Sequence, residues 1–276
     1  MPQHLFSHVI LMFEIGSGCR TEAPHVGGTL TKSKHQLLFL ASLLAFTTLI
    51  GCGAAGEKIV VDGGEAEVRV ATTTNFITDL VREVGGERVA VDGLLGPGVD
   101  PHLYKASAGD VTRLREADGI FYNGLYLEAK MQEVLTDIGE DKPVIAVTDS
   151  MPRERLLSPP SSAAPEEEYD PHVWFDVSLW KYAVEAVRDG LIEIDPDGEA
   201  TYRDNSRRYL AELETLDRET ERKLASIPQR QRVLVTSHDA FRYLGRRYGL
   251  DVAAIQGIST AGEATTLDAV QVVATA

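Results

Sequence analysis

The hydrophobic pattern from residue 68 to residue 147 alternates short apolar runs with longer amphipathic stretches. Apolar runs of strand length lie at 68–71, 89–91, 119–122 and 144–147. Stretches with helical spacing lie between them, at 75–84, at about 107–117 and at about 125–138. Strands that alternate with helices of this length form βαβ units. The pattern therefore predicts an α/β fold with a mostly parallel sheet.

The pattern becomes helical after residue 172. Asp176 is placed to cap a helix that ends near Asp195. From Asp197 to about residue 226 nothing breaks a helix, and apolar residues recur at near-helical spacing. At ~1.5 Å per residue this stretch predicts one long helix of about 45 Å.

A second α/β segment is predicted beyond Pro228. Apolar runs of strand length lie at 233–236 and 252–255, and a helical stretch lies between them at 240–248. A long helix between two α/β segments can join two lobes with little hinge freedom. We therefore expect two parallel-sheet lobes joined by one long rigid helix.

The first 52 residues have the pattern of a secretory leader. Lys32 and Lys34 precede an apolar run at 37–46, which ends at Leu49-Ile50-Gly51-Cys52. A positive region, a short apolar region and small residues at the end are typical of a signal peptide rather than of a spanning helix. The residues before about position 31 do not fit this leader; a start at Val26 or Leu30 instead of Met1 is one explanation, and the sequence leaves the start open.

Cys52 lies where a lipid anchor is expected. The tetrapeptide that it ends resembles the lipobox of bacterial lipoproteins, in which the cysteine becomes the lipidated first residue of the mature chain. The following polar, Gly-rich stretch fits a tether. A buried cysteine at the end of a membrane helix is the alternative. The expected location is the cell envelope, either lipid-anchored on the outer face of the cytoplasmic membrane or periplasmic.

These patterns predict a division of the chain into five segments. They are an N-terminal extension with signal peptide at 1–52, a flexible tether at 53–67, an N-terminal α/β lobe at 68–195, a linking helix at 196–227 and a partial C-terminal α/β lobe at 228–276.

Charge and cysteine content exclude several kinds of partner and site. The whole chain has a net charge of −15, and residues 1–52 contribute +1 of it, so the remainder carries −16. Such a surface argues against nucleic acid or anionic lipid as a partner and is compatible with attracting cations. The only cysteine left after processing would be the acylated Cys52, which excludes disulfides and thiolate metal sites.

The tripeptide Asp-Pro-His occurs twice, at 100–102 and at 170–172. Of the seven histidines in the chain, only three lie beyond the leader. These are His102, His172 and His238, and each lies next to or two residues from an aspartate, namely Asp100, Asp170 or Asp239.

The positions of the three histidines favour a common metal site. Each lies just past a predicted strand or at the start of a predicted helix, where α/β sheets bind ligands. Three converging imidazoles would bind a borderline metal ion. The aspartates can accept hydrogen bonds from the non-ligating ring N–H groups or can simply cap helices. Taken singly, each histidine could equally be a polar turn residue or a hydrogen-bonded core residue.

Five segments together resemble a known family. They are GVDPHLYKAS, NGLYLEAKM, YDPHVWFDVSLW, VLVTSHDAFRYLGRRYGL and IQGISTAGEAT. They are similar to the TroA-like metal-binding lipoproteins that supply zinc or manganese to ABC transporters. The resemblance implies two α/β lobes around a metal cleft, Zn²⁺ or Mn²⁺ as transported ligand rather than catalytic cofactor, and a monomer that docks on an ABC transporter permease with its ATPase.

The chain departs from this family in its metal ligands. The family adds a carboxylate ligand from the second lobe, beyond where this chain ends at Ala276, and residues 266–271 resemble a helix beginning. We therefore expect the second lobe to be truncated, with Glu263 as a possible substitute ligand. The loop at 153–168 lacks the histidines of zinc-dedicated relatives, whereas a histidine as third ligand favours zinc. Zinc and manganese both remain candidates.

Two other function classes are compatible with three histidines. A zinc-dependent hydrolase would use an open fourth position to activate water. The chain lacks the His-Glu-x-x-His motif, and no glutamate is placed as a general base, so we expect no enzyme activity. A metal-binding surface adhesin is the other alternative.

Overall fold

The computed structural model describes residues 66–159, 168–258, 260, 270–272 and 274. The described residues belong to one compact unit. Cys52, Glu263, residues 266–269 of the predicted helix and residues 160–167 of the loop at 153–168 lie outside the described residues. The predicted division into segments stays a prediction.

The first sheet contains four parallel strands in the order β2-β1-β3-β4. Its strands are β1 (Val68–Thr72), β2 (Val89–Gly93), β3 (Gly119–Tyr122) and β4 (Val144–Ala146). The helices that alternate with them are α1 (Asn75–Gly85), α2 (Ala108–Glu116) and α3 (Gln132–Gly139). The central strands β1 and β3 are largely buried on both faces, with Arg69 as an exposed exception, as expected for a parallel sheet covered on both sides. The α/β prediction is confirmed.

Helix α3 begins seven residues later than the helix predicted from about 125. Leu125 and Tyr126 have φ values of 52° and 66°, which no right-handed helix contains. The buried carboxylate of Glu128 accepts hydrogen bonds from the backbone N–H groups of Asn123 (2.8 Å) and Gly124 (3.2 Å). These bonds stabilise a tight turn where the apolar spacing alone suggested a helix.

The two helices after residue 172 form where the pattern predicts them. Helix α4 (Val177–Ile194) is capped by Asp176, whose side chain accepts from the N–H of Ser178. Helix α5 (Glu199–Ala225) has 27 residues, or about 40 Å at ~1.5 Å each. Both helices pack with α1, and this contact buries Trp180, Tyr202 and Tyr209. The long helix is thus fixed at its N-terminal half by an apolar core.

The second sheet pairs two parallel strands among the described residues. These are β5 (Val233–His238) and β6 (Asp251–Gln256), and helix α6 (Arg242–Tyr248) connects them. Strand β5 extends two residues beyond its predicted end, so His238 is its last residue. The fold is therefore two parallel sheets with one long helix between them in the chain. None of the helices in the described part of the chain has the length and apolar character needed to cross a bilayer.

Candidate metal site

Both Asp-Pro-His tripeptides contain the same hydrogen bond between the aspartate side chain and the histidine backbone. In the first, Oδ1 of Asp100 accepts a hydrogen bond from the backbone N–H of His102 at 2.9 Å. In the second, Oδ1 of Asp170 accepts from the N–H of His172 at 3.0 Å. The proline fixes φ between the two partners, and the aspartate side chain replaces a backbone acceptor. In both segments this hydrogen bond holds the backbone of the histidine in place.

The three predicted ligands converge on one point. The Nε2 atoms of His102 and His172 are 3.2 Å apart, and one ring nitrogen from each of the three histidines lies within 4.8 Å of the others. His238 reaches this point from the end of β5, the carboxyl edge of the second sheet. His102 and His172 are buried, and His238 is half-buried. The structure thus brings together the histidines that the sequence selected.

Asp170 fixes the ring of His172. Its Oδ1 lies 2.8 Å from Nδ1 of that ring, and the carboxylate is fully buried. A carboxylate accepts hydrogen bonds, so the proton is on Nδ1 and the lone pair on Nε2 faces His102. This is the arrangement in which metal-binding histidines are oriented by an outer carboxylate. Of the three predicted acceptors, Asp170 is the one that contacts a ring nitrogen in this way.

The other two aspartates make different contacts. The second oxygen of Asp100 accepts a hydrogen bond from the hydroxyl of Thr260. Asp239 lies 3.7 Å from Nε of Arg242, and its backbone N–H donates to the carbonyl of Gly257 at 3.2 Å. Burial raises the pKa of the Asp239 carboxyl, and the cation of Arg242 opposes that rise.

The surroundings lower the pKa of two of the imidazoles, those of His102 and His238. Burial, with the neighbouring His172 as a second cause, lowers the pKa of His102 to about 4. The same two causes lower the pKa of His238. Because a metal ligand must offer a free lone pair, neutral rings at pH 7 are the form that binds a cation.

Several supporting residues were not identified from the sequence. The indole of Trp174 packs edge-on against His172, with ring centroids 5.3 Å apart. The side-chain amide of Asn123 donates to the carbonyl of Pro171 at 3.1 Å. Arg242 and Tyr243 contact Asp170 from α6. All four lie within the segments that carry the family resemblance, but no spacing rule indicates which distant residue they touch.

Comparison with known proteins places the chain in a family. The protein-family model described as ZnuA, zinc-uptake complex component A, periplasmic, matches residues 70–276. The manganese-binding lipoprotein MntA of Bacillus subtilis is 42% identical over 227 residues, which are 82% of this chain and 71% of that protein. The zinc-binding protein TroA of Treponema pallidum is 43% identical over 235 residues, 84% of this chain and 71% of the relative.

Solved structures agree with the sequence comparison. The structure of the periplasmic zinc-binding protein TroA from Treponema pallidum superposes with a TM-score of 0.71 and 44% identity, covering 76% of this chain and 74% of that one. The resemblance inferred from the five segments is thereby confirmed. The chain belongs to the ZnuA family of periplasmic zinc-uptake components.

Proposed function

We propose that His102, His172 and His238 bind a divalent transition-metal ion, Zn²⁺ or Mn²⁺, which the protein carries as transported cargo. The observation that carries this proposal is the convergence of three ring nitrogens within 4.8 Å of one another. Random surface histidines have no reason to meet in this way, because burying three imidazoles side by side costs their hydration.

The spacing of the ring nitrogens supports a tetrahedral ion. Zn–N bonds are about 2.0–2.1 Å long, so two nitrogens on one tetrahedral Zn²⁺ lie about 3.3 Å apart. The Nε2 atoms of His102 and His172 are already 3.2 Å apart. A movement of His238 by about 1–2 Å would complete a three-nitrogen face, with a further position for a fourth ligand.

Three imidazoles influence the choice of ion. Nitrogen donors suit Zn²⁺, whereas Mn²⁺ prefers oxygen donors. One relative is described as zinc-binding and another as manganese-binding, and each is more than 40% identical to this chain. We therefore treat both ions as cargo candidates and compare them directly in the experiment below.

The protein is a solute-binding component of a metal ABC transporter, not an enzyme. The matched family consists of uptake components, so the comparisons favour neither the hydrolase nor the adhesin alternative. Family members work with ABC transporter components in the cell envelope. For this chain we further propose a monomer that delivers the ion to a permease with its ATPase.

We also propose that Cys52 is the lipid anchor. This proposal rests on the leader and on the lipobox-like Leu49-Ile50-Gly51-Cys52, and relatives such as MntA are described as lipoproteins. Labelled palmitate should enter the wild-type protein and should not enter Cys52→Ser. Label in the variant would contradict this assignment.

The metal proposal is tested by titration of single histidine variants. Zn²⁺ and Mn²⁺ affinities of the wild type are compared with those of His102→Ala, His172→Ala and His238→Ala by competition with a fluorescent chelator. Each variant should lose at least about a hundredfold in affinity, because one of three ligands is gone. Gln132→Ala, an exposed change on α3, serves as control. A histidine variant that binds like the wild type would remove that residue from the site.

A further inference from the structure

Asp170, two residues before His172, is hydrogen-bonded to Leu157 on one side only. The backbone N–H of Asp170 donates to the carbonyl of Leu157 at 2.8 Å. In an antiparallel strand pair the reverse bond, from Leu157 N–H to the carbonyl of Asp170, would complete the ring of two hydrogen bonds. Here a side chain from another part of the chain stands in that position.

The inserted group is the hydroxyl of Tyr243 on helix α6. It accepts a hydrogen bond from the N–H of Leu157 at 2.9 Å and donates one to the carbonyl of Asp170 at 2.9 Å. The tyrosine ring is fully buried. The hydroxyl therefore acts both as acceptor, for Leu157, and as donor, to Asp170.

Asp170 is in turn the residue that orients His172. Its backbone is fixed by Tyr243, and its carboxylate holds both the ring and the backbone N–H of the histidine. A displacement of Asp170 therefore changes the direction of the His172 lone pair. Helix α6, which follows His238 in the chain, thus contacts the residue that orients His172.

We propose that Tyr243 is a positioning residue for metal binding, which couples the second sheet's helix α6 to the orientation of His172. The proposal rests on the metal-binding function inferred above and deepens it. Removing the hydroxyl leaves the N–H of Leu157 and the carbonyl of Asp170 without their bridge. The ligand is then held less firmly, and the bound ion should leave faster.

A neighbouring cation contacts the same unit. Arg242 donates from Nη1 to the carbonyl of Ser158 at 2.8 Å, and the same nitrogen lies 3.6 Å from Oδ2 of Asp170. That oxygen has no hydrogen-bond partner among the residues that the structure describes. Arg242 is partly exposed, so its contribution is screened by solvent. We assign it a weaker role in the same direction.

The chain offers a matched control on the same helix. Tyr248 is also buried, and its hydroxyl donates to Oδ1 of Asp217 on α5 at 2.9 Å. Tyr243→Phe and Tyr248→Phe each remove one buried hydroxyl without changing the ring. Both should lower the melting temperature by a similar amount, but only Tyr243 is connected to a metal ligand.

The experiment compares the two variants with the wild type by Zn²⁺ affinity, by the rate of Zn²⁺ release to a chelator, and by the visible absorption of the Co²⁺-loaded protein. Changes in groups that support a ligand typically cost ~10–100-fold in affinity, and Tyr243 acts one bond further out. Tyr243→Phe should therefore lose about three- to tenfold in affinity and shift the Co²⁺ bands. Tyr248→Phe should bind and absorb like the wild type.

Four outcomes would overturn the proposal. Wild-type affinity and an unchanged Co²⁺ spectrum in folded Tyr243→Phe would contradict this inference but not the proposed function. Equal losses of Zn²⁺ affinity in both tyrosine variants would do the same. If Tyr243→Phe does not fold, Arg242→Lys, which keeps the charge but loses the planar guanidinium, should still weaken Zn²⁺ binding, and wild-type binding there would contradict it. A wild type that binds none of Zn²⁺, Mn²⁺ and Co²⁺ would remove the proposed function together with this inference.

Discussion

The two Asp-Pro-His turns share a sequence but differ in their surroundings. Both aspartates accept the backbone N–H of the histidine two residues later, at nearly equal distances. Asp170 also holds the ring of its histidine and is fully buried, whereas Asp100 is partly exposed and receives the hydroxyl of Thr260. The same tripeptide therefore forms the same side-chain-to-backbone hydrogen bond twice, with two different further roles for its carboxylate.

The difference comes from what packs around each turn. The second turn is held by Asn123, which donates to Pro171, and by Tyr243, which donates to Asp170. The first turn lies in the loop after β2, where Val99 and Leu103 are exposed. Dense packing lets a carboxylate fix one ring orientation, because few other geometries fit. An exposed turn provides no such restriction.

The largest expected effect separates the two aspartates. Asp170→Ala leaves the ring N–H of His172 buried without its acceptor and should weaken Zn²⁺ binding by about 10–100-fold. Asp100→Ala removes the turn bond to the N–H of His102 and the hydrogen bond from Thr260, but no contact with a ring nitrogen. We therefore expect less than about threefold in affinity and about 0.5–1.5 kcal/mol in the free energy of unfolding for each lost hydrogen bond. Chelator competition and thermal unfolding give both quantities.

A control keeps folding separate from binding in this comparison. Asp170→Asn retains the shape and one acceptor oxygen, so it should fold and should lose an intermediate share of Zn²⁺ affinity. Equal losses for the Asp100 and Asp170 variants would mean that the two turns do the same work, against the contrast drawn above.

The second prediction concerns acid stability of the metal-free protein. The pKa of His102 is about 4 in the folded protein and about 6.5 in an unfolded chain, so the unfolded state binds more protons between these values. Its contribution to stability is complete above pH ~6.5 and is lost as the pH falls towards 4, by on the order of 3 kcal/mol.

Urea unfolding in the presence of a chelator, at several pH values, measures this loss. His102→Gln cannot be protonated and should reduce the slope between pH 6.5 and 4. The same lowering of the pKa means that protons should displace the metal ion below the usual histidine range. An unchanged slope in His102→Gln would show that burial does not control the titration of this ring.

The smallest effect concerns the contact between the first turn and Thr260. Thr260→Val removes the hydroxyl that hydrogen-bonds Asp100, at a partly exposed position. We expect a loss of about 0.5–1 kcal/mol in the free energy of unfolding, with Zn²⁺ affinity nearly unchanged. Thr112→Val, whose hydroxyl donates to the helix carbonyl of Ala108, is an exposed control. A loss of more than about 2 kcal/mol would place Thr260 among the main supports of the site.

The sequence by itself determined the elements and the ligand candidates. Apolar periodicity predicted the strands of both sheets and the long helix, because burial of one face depends on spacing within a few residues. The leader left three histidines, and the repeated Asp-Pro-His indicated two of them as turn residues. The hydrogen bond from the histidine N–H to the aspartate Oδ1 spans two residues in each tripeptide, so it depends on local sequence alone.

Only the tertiary structure decided which aspartate contacts a ring and what holds it. Tyr243 is 73 residues from Asp170 in the chain, and Arg242 is 72. Local spacing carries no information about such pairs. The same applies to Leu125 and Tyr126, whose positive φ values replace a predicted helix turn near the buried Glu128. Packing selects these contacts, because a buried carboxylate or hydroxyl must find its partners wherever the fold brings them.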